Sequence, residues 1–561
     1  MSDRMVPVPF ETLMESLLQD AKKRREAFSG IAPAPKEKIA CPAEFMGQRI
    51  ENPLGIAAGP HGQMASNILA AYLAGARVFE LKTVQELAGE DLPIDKPCIR
   101  GEDEVYNVEW STELTVADAR DEYIKAWIAV HVAAKELDLG DPSGIHFNMS
   151  VGYDLKGIQS PSVTDFLDTL NDSSESACRK DCLDWLRENL HRFERVDEAF
   201  IESIPAQVCQ SVAVSTMHGC PVEQIEEILL YLIEEKKFNT LLKCNPTLVG
   251  EEDARALLDN AGFDYMVLDP DQFAFDLKFS EAVPLIKKLN AAAEKSGVHF
   301  AVKLLNTLPV KITRRELPGE VMYMSGKALY PIAITVAARL NEALEGKIPI
   351  SYCGGADRHN IQTLYKAGLA PITVCSVLLQ PPGLSELSRL AKLLHEVSGE
   401  APEAPSVERL NEAAEAVKAD KHFKKSPAKR KLYDKHRGYE ATRQKDTLRC
   451  RVVCGICTKV CPNRANEVMQ LADGTKLLVH YDTLCNECGL CQYVCPEPCH
   501  PYEDRLTFFS SREAFDSSEN AGLFRAEDGY VYREKGAVRE AADAEALPAL
   551  YAAALKSVMD L

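Results

Sequence analysis

Between about residues 50 and 400, short apolar runs alternate with longer stretches whose apolar positions recur every three or four residues. The runs read as strands buried on both faces and the longer stretches as amphipathic helices. Candidate strands are Leu54–Ala58, Val78–Val84, His146–Val151, Ser211–Ser215, Thr240–Cys244, Tyr265–Leu268, Phe300–Leu305, Ile348–Tyr352 and Pro371–Val374. Ile225, Ile228, Leu229, Leu232 and Ile233 form a stripe that predicts a helix beginning at Pro221, a residue suited to a first turn. Leu387, Leu390, Leu394 and Val397 predict another over Leu384–Val397, stopped by Gly399. Repeated β-α units of this kind point to an α/β fold of the (β/α)8 TIM-barrel type. Nine candidates exceed eight strands by one, so Tyr265–Leu268 or Thr240–Cys244 is expected to stand outside the barrel.

The candidate strands carry polar residues at their C-terminal ends: Lys82-Thr83, Asn148, Ser215, Lys243, Asn306-Thr307 and Gly354-Gly355. A barrel of this type builds its active site at that end, with a phosphate pocket in the loops after strands seven and eight. Those loops are Cys353-Gly354-Gly355-Ala356 and Cys375-Ser376, and paired glycines let a phosphate approach backbone N–H groups.

Chemistry of a different kind is concentrated near the C-terminus. Nine of the 18 cysteines lie between Cys450 and Cys499. Eight of them form two runs, Cys450-x3-Cys454-x2-Cys457-x3-Cys461-Pro462 and Cys485-x2-Cys488-x2-Cys491-x3-Cys495-Pro496. Runs that end in Cys-Pro are how a bacterial ferredoxin-like α+β domain holds two [4Fe–4S] clusters, the fourth cysteine of each crossing to the other cluster. One cluster would take Cys450, Cys454, Cys457 and Cys495, the other Cys485, Cys488, Cys491 and Cys461. The opening x3 departs from the usual x2, and Cys499 is left without a role. Zinc sites usually combine two separated pairs, unlike these quartets. A disulfide framework needs an oxidising compartment, and MSDRMVPVPFETLMESL has no apolar signal core. The remaining thiols, scattered over the first 375 residues, fit a reducing cytoplasm.

The 561 residues, 46% hydrophobic and 26% charged, are ordinary for a globular protein of several domains. A net charge of -20 argues against general affinity for nucleic acid or membranes, and no apolar stretch approaches the roughly 20 residues that span a bilayer. The expected order is a helical arm (1–45), the barrel (46–399), a linker and helical connector (400–444), the ferredoxin-like domain (445–505) and an appendage (506–561) with a helix from about Leu547. Lys421 to Arg437 is dense in Lys, Arg and His, and reads as a solvated helix face or a docking surface for an acidic partner.

With these residues in view, the chain resembles the flavin-dependent dihydroorotate and dihydropyrimidine dehydrogenases, and most closely the family named as selenate reductase subunits. The resemblance rests on NPLGIAAGP at Asn52–Pro60, FELKTVQ at Phe79–Gln85, YNVEWSTE at Tyr106–Glu113 and FNMSVGY at Phe147–Tyr153. It continues through STMHGCP at Ser215–Pro221, KCNPT at Lys243–Thr247, KLLNT at Lys303–Thr307, MSGKALYP at Met324–Pro331, and the YCGGA and VCS loops. CPNRAN at Cys461–Asn466 and CNECG at Cys485–Gly489 are similar to the subunit family specifically.

The resemblance implies a dihydroorotate dehydrogenase-like barrel that binds FMN. Ala57, Ala58 and Gly59 would run under the ring, Lys82 and Thr83 would hydrogen-bond it, and Asn148 belongs to the same set. Lys243 would sit beside the pyrimidine edge, with Lys303 as its rival, and Gly354, Gly355, Cys375 and Ser376 would take the phosphate. Asn107, Glu109, Asn306 and Thr307 would read a planar heterocycle, pyrimidine- or purine-like, since amides both donate and accept. The proton donor falls in the Ser215–Pro221 loop. Cys220 is the first candidate, because a helix N-terminus favours its thiolate; Ser215, Thr216 and His218 are the others. Ala213 stands about where the related enzymes carry a substrate-binding Asn.

Members of the subunit family usually carry an FAD/NAD(P)H module between barrel and ferredoxin. No G-x-G-x-x-G follows a strand here, and Glu400 to Arg449 is too short for such a domain. NAD(P)H oxidation is therefore expected of a separate flavoprotein subunit or other redox partner. Two functions are expected: an iron–sulfur flavoprotein oxidoreductase, or an electron-transfer and scaffold subunit, with a silent barrel, of a larger NAD(P)H- or molybdenum-linked oxidoreductase complex.

Overall fold

The computed structural model describes residues 5–23, 31–86, 94–108, 112–152, 154–215, 220–426, 443 and 448–559. Eight parallel strands close into a barrel: β1 (Leu54–Ile56), β2 (Val78–Glu80), β3 (His146–Gly152), β4 (Ser211–Ser215), β5 (Asn239–Cys244), β6 (Phe300–Leu304), β7 (Ile350–Tyr352) and β8 (Ile372–Val374). The circle shuts where Ile372, Thr373 and Val374 of β8 pair with Leu54, Gly55 and Ile56 of β1. The ninth candidate is resolved in favour of Thr240–Cys244, which lies within β5. Val267–Leu268 belongs instead to a five-stranded antiparallel side sheet, with Leu308–Lys311, Val321–Gly326, Glu104–Asn107 and Ile99–Gly101 in that order.

Helices surround the strands as the apolar stripes require. Pro221 is the N-cap of the helix Val222–Leu230, one position outside its expected place, and Ile225, Ile228 and Leu229 are buried. The helix Glu386–Glu396 buries Leu387, Leu390 and Leu394. The N-terminal helix Phe10–Lys23 packs Phe10 edge-on against Trp185. A hairpin of Ala43–Phe45 and Gln48–Ile50 plugs the N-terminal end of the barrel. There Phe45, Met46 and Ile50 pack with Val78, Ala213, Leu241 and Ala301. Ala213 thus lies deep in the barrel rather than at its mouth.

Residues 401–426 do not stand off as a connector. The helix Val407–Ala416 buries Leu410, Ala413 and Ala414, and Phe423 packs tilted against Tyr330 at 4.3 Å between ring centroids. The described part of the basic run is accordingly not a solvated face; 427–437 lie outside the described residues.

The C-terminal lobe is a six-stranded sheet: β9 (Asn466–Gln470), β10 (Lys476–Tyr481), β11 (Leu506–Phe508), β12 (Gly522–Ala526), β13 (Gly529–Glu534) and β14 (Ala537–Ala541). Short helices Ile456–Val460 and Leu490–Val494 follow the two cysteine loops, each entered through a left-handed glycine, Gly455 and Gly489. The last four strands extend this sheet and the helix Ala549–Met559 packs on it, so 506–559 is continuous with it. Among the described residues no helix is long and apolar enough to cross a membrane.

Candidate functional site

At the C-terminal end of the barrel a cavity of about 540 Å³ opens under the side sheet. Its walls include Ala58, Gly59, Lys82, Thr83, Ser215, Lys243, Asn306, Thr307, Gly354, Gly355, Cys375 and Ser376, with Asn107 contributed by the side sheet. The strand-end residues converge because every barrel strand runs the same way and delivers its last residue to one rim. A Cβ on Gly59 would come within 2.6 Å of Cys375 Sγ, so the glycine lets the Cys375 side chain pack directly against the backbone at the end of β1. Gly354 and Gly355 both adopt positive φ, +96° and +78°, a conformation that aims successive backbone groups into a turn.

Six expected positions are not on this wall or cannot be placed there. Lys303 is fully buried inside the barrel, where its Nζ lies 2.5 Å from Glu80 Oε1 and donates to Ser351 Oγ (3.0 Å) and Thr373 Oγ1 (2.7 Å). It is therefore not the rival cation at the cavity. Asn148 is also interior, accepting from Ser211 Oγ at 2.6 Å. Cys220 is half-buried beside Gln224 Oε1 at 3.3 Å and off the cavity wall. Burial, then Asp154 and Asp276, push its thiol up, the reverse of the expected helix effect. Thr216, His218 and Glu109 lie outside the described residues.

The sequence reading missed several wall residues. Ser325 shares a hydrogen bond of 2.8 Å with Ser376, and Thr373 donates to Glu80 at 3.2 Å from the cavity floor. Glu80 Oε2 in turn accepts from the Ala58 backbone N–H at 3.4 Å, tying the interior ion pair to the wall. His422, from beyond the barrel, stacks on His359 at 3.6 Å and pairs with Asp357 at 2.6 Å, closing the rim past the glycine turn. On the opposite side, Asn306 donates to Asn245 (2.8 Å) and Asn245 to Asp276 (3.2 Å), which fixes the orientation of the Asn306 amide. No motif announces these partners; they meet only through the fold.

The cysteine runs divide into two groups. Cys450, Cys454, Cys457 and Cys495 line one small void in the C-terminal lobe. Cys461 lies near enough to Cys485, Cys488 and Cys491 for its charge to oppose the ionisation of each. Burial is the larger cause, and it holds all three thiols well above their ordinary range. Among the described residues no three His, Cys, Asp or Glu side chains close on a point as a single metal ion would need.

The second group is seated on the cavity wall. The Cys488 carbonyl accepts hydrogen bonds from the backbone N–H groups of Cys98 (3.1 Å) and Ile99 (2.9 Å), and Ile99 lines the cavity. Cys98, Ile99, Leu379, Val460, Cys488 and Leu490 form one apolar cluster, with Cys375 packed against it. Polar contacts flank it: Asn486 donates to Glu113 and Tyr493 to Glu102, both at 2.6 Å, and Lys96 pairs with Glu113 at 2.6 Å.

Distant structural likenesses exist. Dihydroorotate dehydrogenase (DHODH) from Eimeria tenella, in complex with ferulenol, aligns over 72% of this chain and 96% of its own, at 12% identity and a TM-score of 0.41. Ligand-free DHODH from the same organism aligns over 71% and 97%, at 14% identity and a TM-score of 0.39. Both are too remote to bear on function. Oxidoreductase YgfK of Escherichia coli strain K12 is 40% identical over 445 residues, 76% of this chain and 42% of its own length; the Escherichia coli O157:H7 protein of that name gives the same figures. The chain thus spans less than half the length of these relatives. The family described as oxidoreductase YgfK, N-terminal TIM-barrel domain, matches residues 32–425, and the chain belongs to it.

Proposed function

We propose that the barrel mouth binds FMN, that the two cysteine quartets hold [4Fe–4S] clusters, and that the protein passes electrons between them to reduce or oxidise a small pyrimidine- or purine-like heterocycle. The observation that carries this reading is the hydrogen-bonded contact of the Cys488 loop with Ile99, which joins the cysteine-bearing lobe to the cavity wall.

The residues present suit both groups. A cavity of about 540 Å³ falls within the usual range for a cofactor site. Ala58 and Gly59 lie on the wall where a flat ring would rest, and Gly354, Gly355, Cys375 and Ser376 line the part of it where glycine backbone can approach a phosphate. Lys82 and Lys243, both almost fully buried on the wall, supply positive charge that favours a reduced, anionic ring. Eight thiols in two groups, all but the exposed Cys454 buried or half-buried, are the donor set that cubane clusters use, and binding iron would draw off their protons despite burial. When bound, the clusters supply single-electron transfer and FMN supplies two-electron storage with hydride transfer.

The chain's own residues then orient the substrate and handle its proton. Asn306, held by Asn245, and Asn107 present amides to a ring bearing N–H and C=O groups. Ser215, which stands on the wall, is the residue proposed to handle the proton. A separate FAD/NAD(P)H flavoprotein is the proposed redox partner.

The test is cofactor stoichiometry of the purified chain: flavin released by heat, with iron and sulfide assays. The reading expects about one FMN and about eight iron per chain. Full iron without flavin would leave the barrel silent and overturn it.

A further inference from the structure

We propose that Cys499 and Arg505 form a donor chain behind the first cysteine quartet, and that this chain raises the reduction potential of the cluster held there. The proposal rests on the iron–sulfur reading above and goes beyond it by assigning the ninth cysteine of the lobe.

Cys499 is buried, its Sγ 3.5 Å from Cys495 Sγ. Arg505 Nη2 donates to Cys499 Sγ at 2.9 Å, and the Arg505 side chain is fully buried. Cys495 and Arg505 both line the void of the first quartet, whereas Cys499 does not. Cys499 therefore stands behind a ligand position rather than in one. Its thiol is placed to donate S–H to the Cys495 sulfur while it accepts from Arg505, so that the donor chain ends on a cluster ligand.

Removing a guanidinium from water is costly unless it is paired, and Glu497 Oε2 pairs with Arg505 at 3.2 Å. Arg505 itself faces the void. Reduction adds one negative charge to a cluster, so a cation and a hydrogen bond to a ligand sulfur both stabilise the reduced form.

The experiment is an EPR-monitored dithionite titration of the full chain, with iron content measured on each sample. Cys499→Ala and Arg505→Met are expected to keep full iron. Each should weaken reduction of one of the two cluster couples about tenfold, equivalent to about 59 mV downward for one electron, and leave the other couple unmoved. Cys499→Ser, whose hydroxyl still donates, and Arg505→Lys should recover most of the shift. Unmoved midpoints in Cys499→Ala with full iron would overturn the proposal, as would loss of iron with a [3Fe–4S] signal, which would make Cys499 a ligand. If Arg505→Met fails to fold, the Ala and Ser variants at Cys499 decide alone. Wild-type protein without iron would instead refute the reading on which the proposal rests.

Discussion

The backbone of Ile99 is hydrogen-bonded to the carbonyl of Cys488, 389 positions away in the chain, at 2.9 Å. Ile99 forms part of the cavity wall, and Cys488 belongs to the second cysteine quartet. This contact makes the barrel mouth and the cysteine lobe neighbours through a strand only three residues long, Ile99–Gly101.

Gly489 should be intolerant of a side chain. Its φ is +78°, and a Cβ would collide with Pro97, which precedes the docking strand. Gly489→Ala is expected to cost about 1–3 kcal/mol from backbone strain alone, more with the collision. Thermal unfolding and iron retention would record it; a wild-type melting curve would argue that the lobe does not press on Pro97.

Cys491→Ala should remove about four of eight iron atoms and spare the quartet of Cys450, Cys454, Cys457 and Cys495. Full iron content in that variant would refute the ligand division.

Lys82→Ala and Lys243→Met are expected to weaken flavin retention about tenfold, about 1.4 kcal/mol, with little effect on folding. Lys303→Met should behave differently. It strands Glu80 as an uncompensated charge in the barrel, at a cost of about 3–5 kcal/mol, and Lys303→Met with Glu80→Gln should regain much of the loss. Flavin titration and urea unfolding of the four proteins would separate the two kinds of lysine.

These two lysines show what the sequence leaves open. Lys243 and Lys303 are register partners on adjacent strands β5 and β6, so nothing in their local patterns tells them apart. What separates them lies on other strands: Glu80 on β2, with Ser351 and Thr373, holds Lys303 inside the barrel. The barrel strands were legible because parallel strands buried on both faces read as continuous apolar runs. The side sheet was not, since it is built from short segments paired over long range, such as Asn107 with Tyr323. His422 escaped notice for the same reason, meeting Asp357 only when the chain returns to the rim. Cys220 followed a sound local rule, but burial and two carboxylates outweigh the helix end.

Acid should loosen the barrel from within. Burial holds His146 down at about 4, against about 6.5 in an unfolded chain. Between those values the unfolded chain binds a proton that the folded chain refuses. Stability therefore falls as pH drops from about 6.5 toward 4, by up to about 1.4 kcal/mol per pH unit for this group. Urea midpoints across that range should decline, and His146→Gln should decline less steeply. Equal slopes would show that His146 takes up its proton over the same pH range in the folded and unfolded protein.

The most direct measurement follows the flavin absorbance after pulse radiolysis has delivered single electrons to the anaerobic protein. Wild type is expected to show a first-order bleaching phase whose rate does not change on dilution, and Cys491→Ala, with its flavin intact, should lose that phase. Bleaching at the same rate in both proteins would contradict an electron route through the lobe seated on Ile99.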